Sequence, residues 1–299
     1  MNFAIIGTSK IARIHLEHIR NYGFKEIYVV SRYKARAEKF IKNNNFLNKN
    51  IYPADMNIFK VKKFKLIDIC VNTNLHHIYL NKLSKLKSSI IVEKPSVSSG
   101  IFKNKFHNYL EKIFKKNKKI FVPYPMYNLA ESFLREFKSK KKINKIEFFF
   151  FTGGKNQFDD ISYDLLPHIL SFLIKVIKIK EFKTNDLQIR SVNSKKNSWK
   201  CNFYIRKINF LIFLKENKKI KNSNFYFKIN NVVFKRIIEQ NNNNYKIYLQ
   251  TINKKKFVPN SMKEVLLKLC ENLKNSKYFE KNQLITKIIM NMNYKIIHG

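Results

Sequence analysis

Residues Gly7-Thr8-Ser9-Lys10-Ile11-Ala12 fit the spacing G-x-G-x-x-G/A, with Ser9 at the second glycine position. In that spacing the first residue makes a tight turn and the second lets backbone approach a pyrophosphate. The third keeps a helix close against its strand. Gly7 and Ala12 meet the outer demands, and Ser9 can offer a phosphate its hydroxyl where the usual residue offers bare backbone. A helix opening at Lys10 and Ile11 adds free amides and partial positive charge, both suited to an anion. A second group follows at Ser31-Arg32, with Lys34 and Arg36 just beyond. A carboxylate at such a place binds the ribose 2′-hydroxyl of NAD, whereas a hydroxyl beside a guanidinium suits a 2′-phosphate. The pair therefore favours NADP(H) over NAD(H).

These residues can act together only if they stand at the ends of neighbouring strands. Short apolar runs at Asn2–Ile6, Glu26–Val30, Ile51–Tyr52, Leu66–Val71, Ser89–Val92 and Lys119–Val122 read as strands. Helical spacing separates them at Lys10–Asn21, Tyr33–Lys42, Leu75–Leu86 and Phe102–Lys115. Regular strand–helix alternation implies an α/β fold with a right-handed, doubly wound parallel sheet of the Rossmann type over residues 1–124. The pattern then changes. Helices are expected at Leu129–Lys138 and about Leu165–Ile177, around an aromatic strand Lys145–Thr152. Six strand-like segments follow between Leu187 and Thr251, and then two helices, Ser261–Asn275 and Asn282–Tyr294. This implies a C-terminal α+β domain over 125–299 with a largely antiparallel open sheet, its last helix free to pack back on the first domain.

Composition removes several alternatives. Sixty Lys and Arg against twenty Asp and Glu give a net charge of +40, yet only eight of those sixty are arginine. Arginine is the residue suited to bidentate contacts with phosphate and guanine, so the excess does not point to a specific nucleic-acid partner. No apolar run is long enough for a membrane span. Cys70, Cys201 and Cys270 are too widely spaced for a disulfide framework or a zinc site, so no metal is expected. The first residues lack the basic start and cleavage site of a secretory signal, so the chain is expected to be cytoplasmic.

Three further segments complete the pattern: Val71-Asn72-Thr73-Asn74-Leu75-His76, Glu93-Lys94-Pro95, and Asp164-Leu165-Leu166-Pro167-His168. With the nucleotide turn ahead of them, their order and spacing resemble those of the Gfo/Idh/MocA family of NAD(P)-dependent oxidoreductases over essentially the whole chain. The resemblance implies a two-domain enzyme whose substrates are sugars, sugar nucleotides or cyclitols. It also implies a homo-oligomer built on the outer face of the C-terminal sheet. Gly7, Thr8, Ser9, Lys10, Ile11, Ser31, Arg32, Asn72, Thr73, His76, Glu93 and Lys94 are then the cofactor-binding candidates. A register shift of one would pass the role of His76 to His77. Lys94 is expected to reach the nicotinamide ribose and the reacting hydroxyl, where an ammonium stabilises developing alkoxide charge. Glu93 and Pro95 fix the turn that aims it.

By the same resemblance His168 is the general acid/base, with an ordinary pKa near 6.5 suited to proton transfer. Asp164, four residues earlier, shares its helix face and either orients the imidazole, binds a substrate hydroxyl or caps the helix. Pro167 is expected close to the start of that helix, where no amide donor is required. Tyr124, Tyr127 and Asn128 are weaker candidates for the pocket wall, and His15 and His18 are assigned to packing or surface. Two other functions fit the resemblance: glycoside cleavage through transient oxidation, and a non-catalytic cofactor-binding sensor.

Overall fold

The computed structural model describes the chain except for residues 48–49, 98–108, 138–141, 222 and 242–243. It forms two compact units, Met1–Pro123 with Met262–Thr286, and Tyr124–Ser261 with Lys287–Gly299.

The first unit holds six parallel strands: β1 (Asn2–Ile6), β2 (Glu26–Val30), β3 (Ile51–Ala54), β4 (Leu66–Ile69), β5 (Ser89–Val92) and β6 (Ile120–Phe121). Their order, β3-β2-β1-β4-β5-β6, reverses direction between β1 and β4. That reversal opens a crevice beyond the strand ends, where ligands bind in sheets of this kind. Strands β4 and β5 are buried along their whole length, as short apolar runs covered on both faces should be. Helices α1 (Lys10–Ile19), α2 (Lys34–Asn43), α3 (Ile58–Val61) and α4 (Thr73–Leu83) connect them. Residues 109–116 are also helical (α5), while 102–108 of the helix expected there lie outside the described residues.

Two later helices, α8 (Ser261–Glu271) and α9 (Ser276–His298), begin after the second sheet. The stretch Met262–Thr286, which the sequence grouped with the second domain, is part of the first unit. The cause is apolar: Val265, Leu266, Leu269, Leu273 and Phe279 share a core with Leu16 and Ile19 of α1. Asn282 accepts from the Val122 amide and donates to the Val122 carbonyl, at 2.8 and 2.9 Å. Gln283 also donates to the Lys118 and Ile120 carbonyls, so two side-chain amides supply backbone-like pairing along the edge strand β6.

The second unit holds helices α6 (Pro125–Glu136) and α7 (Asp159–Val176) and eight strands. These are β7 (Lys145–Thr152), β8 (Leu187–Lys195), β9 (Ser198–Ile205), β10 (Ile208–Glu216), β11 (Asn224–Ile229), β12 (Val232–Asn241), β13 (Asn244–Gln250) and β14 (Lys255–Val258). The order is β14-β13-β12-β11-β7-β10-β9-β8, antiparallel except where β10 runs parallel to β7. The four phenylalanines of β7 alternate: Phe148 and Phe150 are buried, Phe149 and Phe151 half-exposed. Phe148 stacks on Phe225 and Phe227 of β11, giving this sheet an aromatic centre.

Two sequence expectations change here. Strand β14 starts with two lysines and was not foreseen; it pairs with β13 as an edge strand, where lysine is a favoured residue. Helix α7 begins at Asp159, so Pro167 is inside it and Asp164 is not its cap. Asp159 and Asp160 in the first turn complement the helix dipole. Burial of Leu165, Leu166, Ile169, Leu170 and Phe172 then outweighs the amide that Pro167 cannot donate. Among the described residues no helix is long and apolar enough to cross a membrane.

Candidate functional site

Gly7 closes β1 with φ +123°, and a Cβ there would collide with the Cys70 carbonyl. Only glycine allows this close approach of β1 to β4. Ser9 needs no such freedom, because its backbone is extended (φ −85°, ψ 172°) as the N-cap of α1. Its hydroxyl accepts from the Ala12 amide at 3.3 Å and donates to Cys70 O at 3.0 Å. The proton that the sequence offered to a phosphate is thus directed inward, and the departure from glycine has a structural use.

A cavity of about 320 Å³ lies beyond the ends of β1, β2 and β4. Gly7, Thr8, Ser9, Ser31, Arg32 and Asn72, all expected from the sequence, line it. Arg36, Leu75 and Tyr79 also line it. Arg36 donates to Thr8 Oγ1 at 3.0 Å, bringing a guanidinium from α2 onto the nucleotide turn. Arg32 lies over the Tyr33 ring, and Ser31 donates to Tyr33 O. Tyr79 carried no sequence signal beyond its place two turns into α4. The other cofactor candidates stand elsewhere: Lys10 and Ile11 open α1, Thr73 opens α4, and His76, Glu93 and Lys94 are outside the cavity wall.

Those last three gather around the turn after β5. His76 is buried, with Nδ1 2.8 Å from Pro95 O and Nε2 3.0 Å from Val71 O. Burial lowers its pKa, opposed by the two carbonyls; the neutral ring has a single N–H and donates to one of them while lying against the other. His77 instead has its carbonyl bonded by the Tyr109 hydroxyl at 3.0 Å. The Lys94–Pro95 bond is cis, and Lys94 is half-exposed between buried neighbours.

Beside Glu93 stands His15, which the sequence assigns to packing or surface. His15 Nδ1 is 2.7 Å from Asp68 Oδ2, and Nε2 is 3.1 Å from Glu93 Oε1, with His15 and Asp68 fully excluded from solvent. Cys70 donates to Asp68 Oδ1 at 3.3 Å. His15, Asp68 and Cys70 are residue types that hold metals, and their ligand atoms lie within 4.8 Å of one another. Burial pushes the Cys70 thiol well above its ordinary range, which keeps its proton on the bond to Asp68. The arrangement is that of a hydrogen-bonded network.

In the second unit, Asp164 and His168 occupy successive turns of α7. The His168 ring meets the edge of Phe150 at 5.8 Å between centroids. Asn156 Nδ2 is 3.5 Å from Asp164 Oδ2 and 3.2 Å from Glu216 Oε2, so it bridges two carboxylates. Glu216 is buried and also accepts from the Asn156 amide at 2.9 Å. Burial raises its pKa, and the nearby Asp164 charge adds to this against its hydrogen bonds. A Cβ on Gly154 would strike the Glu216 carboxylate, which accounts for the glycine there. Neither Asn156 nor Glu216 was legible, because their pairing joins positions sixty residues apart. Tyr124 precedes α6, Asn128 is buried, and Lys175 sits over the Tyr127 ring.

Residues 1–100 match the family model of the Gfo/Idh/MocA proteins, described as an oxidoreductase family with an NAD-binding Rossmann fold. No curated protein sequence matches the chain. Several solved structures share the fold at low identity. One is the UDP-N-acetylglucosamine 3-dehydrogenase GnnA from Acidithiobacillus ferrooxidans (10% identity, TM-score 0.67), covering 99% of this chain and 96% of that one. Another is the dehydrogenase MviM from Clostridium difficile (13%, TM-score 0.65), covering 98% and 99%. A third is KijD10, a 3-ketoreductase from Actinomadura kijaniata in complex with NADP (10%, TM-score 0.67), covering 97% and 95%.

Proposed function

We propose that this chain, whose first hundred residues belong to the Gfo/Idh/MocA oxidoreductases, is an NADP(H)-dependent dehydrogenase or reductase of a hydroxyl or keto group on a sugar nucleotide. The observation that carries this reading is the cavity beyond β1, β2 and β4, whose described wall includes Arg32 and Arg36 and no carboxylate. Gly7, Thr8 and Ser9, with the free amides of Lys10 and Ile11, suit the pyrophosphate. The two guanidiniums suit a 2′-phosphate, while the Ser31 hydroxyl, whose proton goes to Tyr33 O, steadies the turn between them. Asn72, Thr73 and His76 support the wall toward the Glu93-Lys94-Pro95 turn.

When bound, the nicotinamide supplies the hydride acceptor or donor. The Lys94 ammonium stabilises charge developing on the substrate oxygen. His168 takes the hydroxyl proton in oxidation and returns it in reduction, while Asp164 holds the imidazole or a neighbouring hydroxyl. One structure that shares this fold is named a UDP-N-acetylglucosamine 3-dehydrogenase and another a 3-ketoreductase, the latter also solved with TDP-benzene and NADP, which supports a sugar-nucleotide substrate. Phe149, Phe151, Phe213 and Tyr226 form a half-exposed aromatic face on the second sheet, and this supports homo-oligomer formation there.

The test combines NADPH and NADH fluorescence titrations with reduced-nicotinamide absorbance across a panel of UDP- and TDP-sugars and free sugars. Tighter binding of NADPH, with turnover on a nucleotide sugar, is the expected result. Tighter binding of NADH removes the cofactor assignment. Turnover without net change in reduced cofactor moves the activity to glycoside cleavage, and cofactor binding without turnover on the panel moves it to a sensor.

A further inference from the structure

We propose that His15 is a positioning residue, an imidazolium that clamps the turn carrying Lys94 onto the helix that opens at the nucleotide-binding turn. The proposal rests on the reading of Lys94 as the catalytic cation. Its geometric basis is independent of that reading.

His15 sits on the buried face of α1, the helix capped by Ser9. One ring nitrogen faces a carboxylate of β4 at 2.7 Å, and the other faces Glu93, the residue before Lys94, at 3.1 Å. A neutral imidazole carries a single N–H and can serve only one of two carboxylates. The doubly protonated ring serves both. Two carboxylates this deeply buried also require a cation between them. The second contact is close without hydrogen-bond alignment, and among the described residues neither His15 Nε2 nor Glu93 Oε1 has a hydrogen-bond partner. A small tilt of the Glu93 turn would align them, which links ring protonation to the orientation of the next residue.

The groups facing the ring are Asp68 from β4, Cys70 just beyond it, Glu93 after β5, and His18 one turn along α1; Cys270 of α8 lies within the field of Asp68. Burial alone would lower the pKa of His15, but the Asp68 carboxylate and Cys70 outweigh it and hold the value well above normal. Burial would raise the Glu93 pKa, but His15, and then the Lys94 charge, hold that carboxyl below its ordinary value. The same ring therefore touches the cofactor helix, the strand beside it and the catalytic turn.

The test uses the purified full chain, uniformly labelled with 15N-histidine, together with His15→Gln, Asp68→Asn and Glu93→Gln. The His15 resonances, identified by their loss in His15→Gln, should report two protonated ring nitrogens at neutral pH. Asp68→Asn should bring that titration down. Amide exchange over 89–97 should rise in His15→Gln and Glu93→Gln, while 200–216 in the other unit stays unchanged. With a nucleotide sugar that supports turnover, kcat should fall by about 10- to 100-fold, as expected for a small misplacement of a reacting group, with the KM for NADPH unchanged. A neutral His15 at pH 7, or unaltered exchange over 89–97, overturns the clamp. A signature that appears only after a chelator is added to the parent protein also overturns it, in favour of a metal held by His15, Asp68 and Cys70. The spectroscopic and exchange arms need no substrate, so they decide the clamp even where the activity panel fails.

Discussion

Asp164 and His168 are the two residues between Ile161 and Ile174 that escape full burial, and they share one stripe of α7. A helix buried on every other side leaves open the pair whose side chains can transfer a proton. His168→Ala should lower turnover by about 10²- to 10⁴-fold, the usual worth of a general acid/base, and leave NADPH titrations unchanged. Asp164→Asn keeps the shape of the group beside Asn156 and should lose less. Near-normal rates in His168→Ala, measured by steady-state absorbance, reject the assignment.

The two guanidiniums at the cavity should act on one phosphate. Arg32→Ala and Arg36→Ala are each expected to weaken NADPH by roughly tenfold, about 1.4 kcal/mol, with little effect on NADH. Parallel titrations at low and high salt check this, since an exposed ionic contact weakens with screening. Equal losses for both nucleotides would show that the arginines hold the turn and do not read the ribose.

Gly7 and Ser9 should respond in opposite ways to exchange. Gly7→Ala forces a side chain into positive φ and against Cys70 O, at a backbone cost of order 1–3 kcal/mol, and should abolish nucleotide binding. Ser9→Gly restores the usual residue but loses the hydroxyl bond to Cys70 O, a cost of about 1 kcal/mol. It should lower the melting temperature slightly and keep NADPH binding. Strong loss of affinity in Ser9→Gly would instead assign the hydroxyl to the phosphate.

His15 and His18, one turn apart on α1, should bend the pH–stability curve in opposite directions. The raised pKa of His15 means its stabilisation is complete below the unfolded value near 6.5 and is lost as pH rises through the folded value. Burial, then the charges of His15 and Lys263, lower the pKa of His18 to about 4. The folded chain therefore resists protonation there, and stability falls as pH drops from about 6.5 toward 4. Glu93, its pKa below 4.5, adds to the acid loss only at lower pH. Thermal melts should show a maximum above pH 6.5. His18→Gln should flatten the acid limb alone; an acid limb unmoved by that change contradicts the assignment.

The first unit was largely legible because its information is local. Asn2–Ile6, Glu26–Val30 and Ser89–Val92 are short buried runs whose ends coincide with those expected, and the turn after the first is set by Gly7. The second sheet was legible as strands, but its order was not. The parallel pairing of β7 with β10 joins segments about sixty residues apart and leaves no mark in either. Pro167 misplaced the start of α7, because a local backbone preference was read without the burial that overrides it. His15 was legible only as a packing or surface residue; its carboxylates stand on β4 and just after β5, and only the folded sheet brings them together.

Because Met262–Thr286 completes the unit formed by Met1–Pro123, the nucleotide-binding half is not a contiguous piece of chain. A ribosome delivers its six strands early and the helix that covers Leu16 and Ile19 well over a hundred residues later. Until then that apolar face stays uncovered, a state prone to association with other chains. The unit is therefore a poor candidate for excision at Pro123. A fragment ending there should recover its nucleotide affinity only when the missing helices are supplied, fused or in trans.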